Sequence, residues 1–273
     1  MAVRKDVYAI VTDRLIKALE EGVVPWRRTW SFASPRNISN RRYRGINALI
    51  LSMLGYEDPR WLTFNQAIQL GGAVKKGEKG VPVIFWKFSD EEDKPPFARY
   101  YTVFNVEQCQ NLDLLPLAKP DRLPSADDIL RSYHNQPKVQ HGGDSAHYSP
   151  RLDIVAMPAM NQFESPQAYY ATLFHEMVHS TGHQSRLARP SVAKFDHFAS
   201  HQYSEEELVA EIGAAFLIHE AGLEFDLENS TAYISSWLKK LQDDRSLIVK
   251  AAGKAQRAVD HILGLQMQEE IAA

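Results

Sequence analysis

His175-Glu176-Met177-Val178-His179 sets two imidazoles four residues apart with a carboxylate beside the first. On a helix the two rings share one face, about 6 Å apart along the axis, and Glu176 points toward the open side of any ion they hold. That is the layout of a zinc hydrolase, with His175 and His179 as metal ligands and Glu176 as the catalytic base. A shuffled chain of this composition would produce the pattern roughly 0.02 times. The bland alternative, two buried histidines satisfied by main-chain carbonyls, leaves Glu176 a buried charge without a partner.

The flanks predict an ordinary four-turn helix. Ser165 can cap it, Pro166 is tolerated in its first turn, and residues 167–181 run without Gly or Pro until Gly182. A catalytic site needs a third protein ligand and one position left for water. The metzincin route is closed: Gly182 stands eighth from His175, but the eleventh place is Ser185 rather than His. His183 is an alternative ligand if Gly182 turns the chain, because in a continued helix it would lie about 12 Å from His175.

Residues 203–218 are the better source. Ser204 can cap a helix whose apolar stripe runs through Leu208, Ile212, Ala215 and Phe216, with Glu207 and Glu211 one turn apart on a neighbouring face. The spacing is that of gluzincins, so Glu207 is expected as the third ligand and Glu211 as the carboxylate that orients a ligand imidazole. If Glu207 instead closes a capping box with Ser204, Glu211 becomes the ligand. The expected chemistry is metal-assisted amide hydrolysis. Residues 148–157 read as a strand before the active-site helix that could pair with an extended substrate. Tyr203, His183 and Arg186 are the candidates for stabilising an oxyanion. Two imidazoles and a carboxylate suit Zn2+ best and also admit Mn2+ or Co2+.

With 44% hydrophobic residues in 273, the chain can bury a real core. The single Cys109 excludes an internal disulfide and any cysteine-based zinc site. Charges interrupt every apolar run near the start and no run approaches a membrane span, so no membrane partner and a cytoplasmic location are expected. The net charge of −3 hides an asymmetry: residues 1–105 carry 17 Lys or Arg against 11 Asp or Glu, and the rest carry 14 against 23. Residues 116–126 hold three prolines and read as a linker.

The front half predicts helices over 7–21, 46–54 and from the Thr63-x-x-Gln66 capping box, then strands over 81–88 and 99–106. Residues 26–87 hold four of the five tryptophans, 11 basic residues and only three acidic ones. Cations beside flat rings suit single-stranded nucleic acid, and the expected contacts are Trp26, Arg27, Arg28, Arg36, Arg41, Arg42, Tyr43, Arg44, Lys75, Lys76 and Lys79. The competing reading buries the tryptophans and leaves the charges as a solvated rim. No recognition helix or metal finger for duplex DNA is visible.

Taken in order, several motifs resemble the ArdC-type antirestriction proteins of conjugative plasmids, whose front domain also begins some plasmid primases. They are Pro25-Trp26, Tyr43-Arg44-Gly45-Ile46-Asn47, Trp61-x-Thr63-Phe64-x-Gln66-Ala67, Lys76-Gly77-Glu78-Lys79-Gly80, Phe104-Asn105-Val106-x-Gln108, the segment His175 through His183, and Glu206-Glu207-Leu208-Val209-Ala210-Glu211. The resemblance implies an α+β protein: a mixed α/β domain over 1–115 that binds single-stranded DNA, the linker, and a mainly helical zincin-like metallopeptidase domain over 127–273. It implies protection of incoming plasmid DNA during conjugation, with a protein substrate or a host restriction enzyme as further partner. Two alternatives stand beside it: a DNA-dependent metalloprotease that cleaves DNA-bound proteins, and a non-catalytic DNA-binding protein with a structural metal.

Overall fold

The structure, a computed structural model, describes residues 7–26, 34–87, 97–117, 123–193, 201–223 and 231–265. The front half runs α1 (Val7–Glu20), β1 (Arg36–Asn37), α2 (Gly45–Ser52), β2 (Arg60–Thr63), α3 (Phe64–Gln69), β3 (Ala73–Val74), β4 (Val81–Lys87), β5 (Phe97–Asn105) and β6 (Cys109–Gln110). The rear half runs α4 (Ala126–Ser132), β7 (Lys138–His141), β8 (His147–Ser149), β9 (Ile154–Met157), α5 (Pro166–Ser180), α6 (Pro190–Ala193), α7 (His201–Glu220), α8 (Thr231–Asp243) and α9 (Leu247–Ile262). This is a mixed α/β architecture with a mainly helical rear half. Among the described residues no helix is long and apolar enough to cross a membrane.

The front sheet has the order β1-β2-β5-β4, with β1 parallel to β2 and the other pairs antiparallel. Its outer edge at β4 is closed by a side chain. Buried Asn47 of α2 donates to the Ile84 carbonyl at 2.6 Å and accepts from the Ile84 amide at 2.7 Å, as a neighbouring strand would. The small β3-β6 ladder lies beside α3, whose capping box between Thr63 and Gln66 forms as the sequence predicts.

One hydrophobic core runs through both halves. α1 packs on α8 and α9, and α2 packs on α9, while α9 also packs on α7 and α5. Close approach here depends on small residues: Ala251, Ala252, Ala255 and Ala258 of α9 are fully buried, and Gly45 faces them in the left-handed region at φ +51. A side chain there would start 3.5 Å from the Ala252 carbonyl oxygen, in a backbone conformation that only glycine adopts freely. Trp26, after α1, donates its indole N–H to Tyr233 of α8 at 3.1 Å and meets Trp237 edge-on.

Two expectations are corrected. The segment 148–157 is a hairpin, β8 and β9, because Asp153 takes a left-handed φ of +52 and turns the chain between them. Its sheet has the order β7-β9-β8, so β8 is an edge strand. Ser204 does not cap α7, which already runs from His201.

Candidate functional site

α5 forms as the sequence predicts, with Ser165 accepting from the Ala168 amide and Pro166 in the first turn. It is held against α7 at a distance set by Gly213, where an added Cβ would lie 2.8 Å from Val178 Cγ2. That close crossing brings Glu207 of α7 over the imidazoles of α5. His175 Nε2 and His179 Nε2 are 3.1 Å apart, Glu207 Oε2 is 3.6 Å from the first and Glu207 Oε1 is 3.5 Å from the second. Among the described residues these three are the group of donors placed to share an ion. With metal–ligand bonds of about 2.0–2.1 Å, donors at tetrahedral corners stand about 3.3 Å apart, so the triangle has the dimensions of a zinc-type site.

The ring nitrogens also face the right way. His179 Nδ1 lies 3.3 Å from Glu206 Oε1. Burial pushes the Glu206 carboxyl up, but hydrogen bonds from His179 and Arg189 outweigh it and bring it down to about 2, so it is an acceptor only. Nδ1 therefore carries the proton and the Nε2 lone pair of neutral His179 points at the triangle. Burial opposes charge on His179, yet Glu206, Glu207 and Glu176 together raise its pKa above the usual histidine value. A cation at the Nε2 corner would answer the same three carboxylates.

Glu206 is the residue that sequence reasoning missed; Glu211 had been given its role. Three glutamates follow one another on α7, and each takes a different station. Glu205 accepts from Lys254 of α9 at 2.8 Å, Glu206 serves His179, and Glu207 faces the imidazole pair. Arg189 fixes Glu206 with Nη2 on Oε1 at 2.6 Å and Nε on Oε2 at 3.0 Å, and Ser191 adds a donor at 2.7 Å. Arg189 also donates to the Val178 carbonyl at 2.8 Å and to Thr181 Oγ1 at 2.6 Å, so one guanidinium grips both the end of α5 and the carboxylate that faces His179. Gly182 makes room for this: a Cβ there would lie 2.5 Å from Val192 and 3.0 Å from Arg189. No local sequence signal marks Arg189, which stands 17 residues before its partner.

Glu176 is buried at 8% exposure beside the triangle. His183 lies outside it, with Nδ1 accepting from Ser185 Oγ at 2.8 Å. Glu211, one turn along α7, does not join the convergent donors. Arg186 is no oxyanion candidate: its side chain is 1% exposed and its N–H groups are taken by Asp153, Ser180 and Asn135 carbonyl or carboxylate oxygens. Those contacts hold the Asp153 turn, where burial raises the carboxyl but Arg186 and Tyr148 win and lower it. The side chain of Tyr203 lies outside the described residues.

The front-half candidates divide. Trp26 and Tyr43 are buried, so neither ring offers a face to a base. Trp61 is buried against Tyr56. Arg27, Arg28 and Trp30 lie outside the described residues, as does the side chain of Trp86. Arg44 pairs with buried Asp260, Arg42 reaches Glu220 at 2.7 Å, and Arg36 donates to Asn40 at 2.8 Å. Arg41, Lys75, Lys76 and Lys79 are exposed.

Comparison with known proteins follows the same division. Residues 5–104 match the N-terminal domain of the anti-restriction factor ArdC, and residues 124–254 match a zincin-like metallopeptidase domain. The chain is 34% identical over 303 residues to a DNA primase TraC of Escherichia coli, and 35% identical over 302 residues to another. It is 98% covered in both alignments but spans only 20% and 28% of those primases. A protein named y4eC of Sinorhizobium fredii (strain NBRC 101917 / NGR234) is 34% identical, with 93% of this chain and 91% of that one covered. The crystal structure of the antirestriction ArdC protein from the R388 plasmid in its Mn(II)-bound form superposes with a TM-score of 0.78 at 39% identity, covering 95% of this chain and 97% of that one. The metal-free form gives a TM-score of 0.76 at 38% identity, covering 96% and 100%. With a matching fold along nearly its whole length and a donor triangle in the zincin-like half, the chain belongs to the ArdC antirestriction family.

Proposed function

We propose that this protein is an antirestriction factor whose front half binds single-stranded DNA and whose rear half holds a divalent metal beside a working base, so that incoming plasmid DNA is protected during conjugation. The observation that carries the reading is the triangle of His175 Nε2, His179 Nε2 and Glu207, with spacings of 3.1–3.6 Å, at the heart of an ArdC-type chain. These residues would hold the ion; zinc fits the two imidazoles and the carboxylate, and Mn(II) is the metal in the R388 relative. Bound there, a divalent ion supplies Lewis acidity to a water and to a substrate carbonyl. The chain's own residues do the rest. Glu207 and the two rings fix the position, Glu206 and Arg189 fix the tautomer, and the Glu176 carboxylate takes a proton from water and returns it to a leaving nitrogen. β8 lies at an edge of its sheet, the position at which an extended peptide adds as a further strand, which favours a protein as the substrate.

A transfer assay into a restricting host tests the reading, with metal content measured on the same proteins. Wild type should protect and carry one ion per chain. His175→Ala and Glu207→Ala should lose the ion, and Glu176→Gln should keep it while hydrolysis of a protein substrate falls at least 100-fold. Failure of wild type to protect would end the antirestriction reading. Full hydrolysis by Glu176→Gln would end the assignment of the base, and protection that survives that substitution would separate antirestriction from proteolysis.

A further inference from the structure

With Trp26 and Tyr43 buried, a stacking surface must be sought elsewhere, and the front sheet supplies one. Its inner face carries Tyr101 and Val103 of β5 into the main core. Tyr100, Thr102 and Phe104 alternate onto the other face. α3 covers one end of that face, where Ala67 and Leu70 meet Leu62 and Phe104 in a small separate core. Toward the other end Tyr100 is 50% exposed and Thr102 is exposed, beside Ile84, the buried residue opposite Tyr100 on β4.

The turn 75–80 rests against this face. A Cβ on Gly80 would lie 2.2 Å from Thr102 Cγ2 and 2.9 Å from the Phe104 ring, so the backbone of the turn touches the sheet directly. Tyr100 stands two residues from Thr102 along the strand, about 7 Å away. The turn is also pinned. Buried Gln108 donates to the Lys79 carbonyl at 3.2 Å and to Glu78 Oε2 at 2.9 Å, and its own carbonyl accepts from the Lys75 amide at 2.9 Å. Glu78, the acidic residue of the turn, is exposed like the lysines but tied to Gln108, and Lys75 Nζ donates to the Glu107 carbonyl at 2.8 Å, which leaves Lys76 and Lys79 as the exposed cations of the turn. Arg14 of α1 adds a cation, donating to the Gly80 carbonyl at 3.4 Å. On α3, Phe64 and Ile68 are one turn apart and 52% and 56% exposed.

We propose that single-stranded DNA lies along the exposed Tyr100–Thr102 part of this sheet face, with a base stacked on Tyr100 and phosphates taken by Lys76 and Lys79. The inference rests on the single-strand reading above and names its surface. Charge decides the occupant. Protein interfaces are depleted in lysine, whereas an exposed aromatic ring on a sheet beside a rigid basic turn suits an unpaired strand and offers nothing to a paired base.

The test is fluorescence anisotropy with a labelled oligothymidylate and the full chain, across a salt series. Tyr100→Ala should weaken binding roughly 5- to 100-fold, and Tyr100→Phe should restore it. The double substitution Lys76→Glu, Lys79→Glu should weaken binding and flatten the salt slope by about 1.4, two phosphate contacts on a single strand. Thermal unfolding should be unchanged in all three, since the side chains are exposed. If wild type binds and these variants bind equally well with the same slope, the surface is wrong while the single-strand reading stands. If wild type fails to bind at any salt, both fall.

Discussion

The glutamates of α7 and the arginines of the 36–44 segment are both runs of like charge, and the structure uses them in opposite ways. Glu205 turns toward Lys254, Glu206 toward the outer nitrogen of His179, and Glu207 toward the His175–His179 pair, the last two at a site where spacing matters. Arg36, Arg42 and Arg44 turn to groups of the protein itself: Arg36 bonds to Asn40 beside it, while Arg42 and Arg44 tie the front half to α7 and α9. Chemistry written as spacing survives the passage from sequence to structure, because a helix converts spacing into direction. Chemistry inferred from composition does not, because a count of tryptophans and arginines says nothing about which way they point.

The sharpest way to break this comparison is Trp26→Ala. If Trp26 is a bolt between halves, the change should cost about 3–5 kcal/mol in denaturant unfolding. A stable variant with weakened DNA binding would return Trp26 to the surface role first read from the sequence. Next in size is Gly213→Ala, which crowds Val178 at the α5–α7 crossing and should cost about 1–3 kcal/mol while lowering metal affinity. Calorimetric titration with Mn2+ or Zn2+ would show whether the crossing sets the triangle; unchanged affinity in a destabilised protein would say that it does not. Arg189→Lys keeps the charge but not the forked grip, and should weaken metal binding roughly 10- to 100-fold with the fold intact. The same titration checks it, and wild-type affinity would reduce Arg189 to a helix cap. Smallest is Arg42→Ala. Its exposed pair with Glu220 should be worth less than about 1 kcal/mol, and a larger loss of stability would mean that the front arginines are built in as firmly as the rear carboxylates.

Legibility follows the same physical line. α5 could be read to within a residue or two because a cap, a first-turn proline and an uninterrupted run mark it. α1, α2, α3, β4 and β5 were marked by periodicity, glycines and β-branched residues. The start of α7 was not, since Ser204 sits inside a helix that begins earlier, and a good cap residue does not oblige a helix to start there. The 148–157 hairpin hid in a run of strand-forming residues because its turn depends on Asp153, whose conformation is held by Arg186 from 33 residues away. Glu206 was overlooked for a similar reason: Arg189 and Ser191 are distant in sequence and define it only once folded.

The glutamate triplet also makes the helix asymmetric toward length changes. Loss of one residue between 208 and 212 would rotate the preceding part of α7 by about 100° about its anchor at Gly213. Glu206 would then swing to the imidazole pair and Glu205 to Arg189, so both stations would keep an acid. Gain of one residue turns the other way and brings Leu208 into the place of Glu207. A stretch that looks like redundant surface charge thus works as a spare set in one direction only, and shortened variants of this helix should keep their ion where lengthened ones lose it.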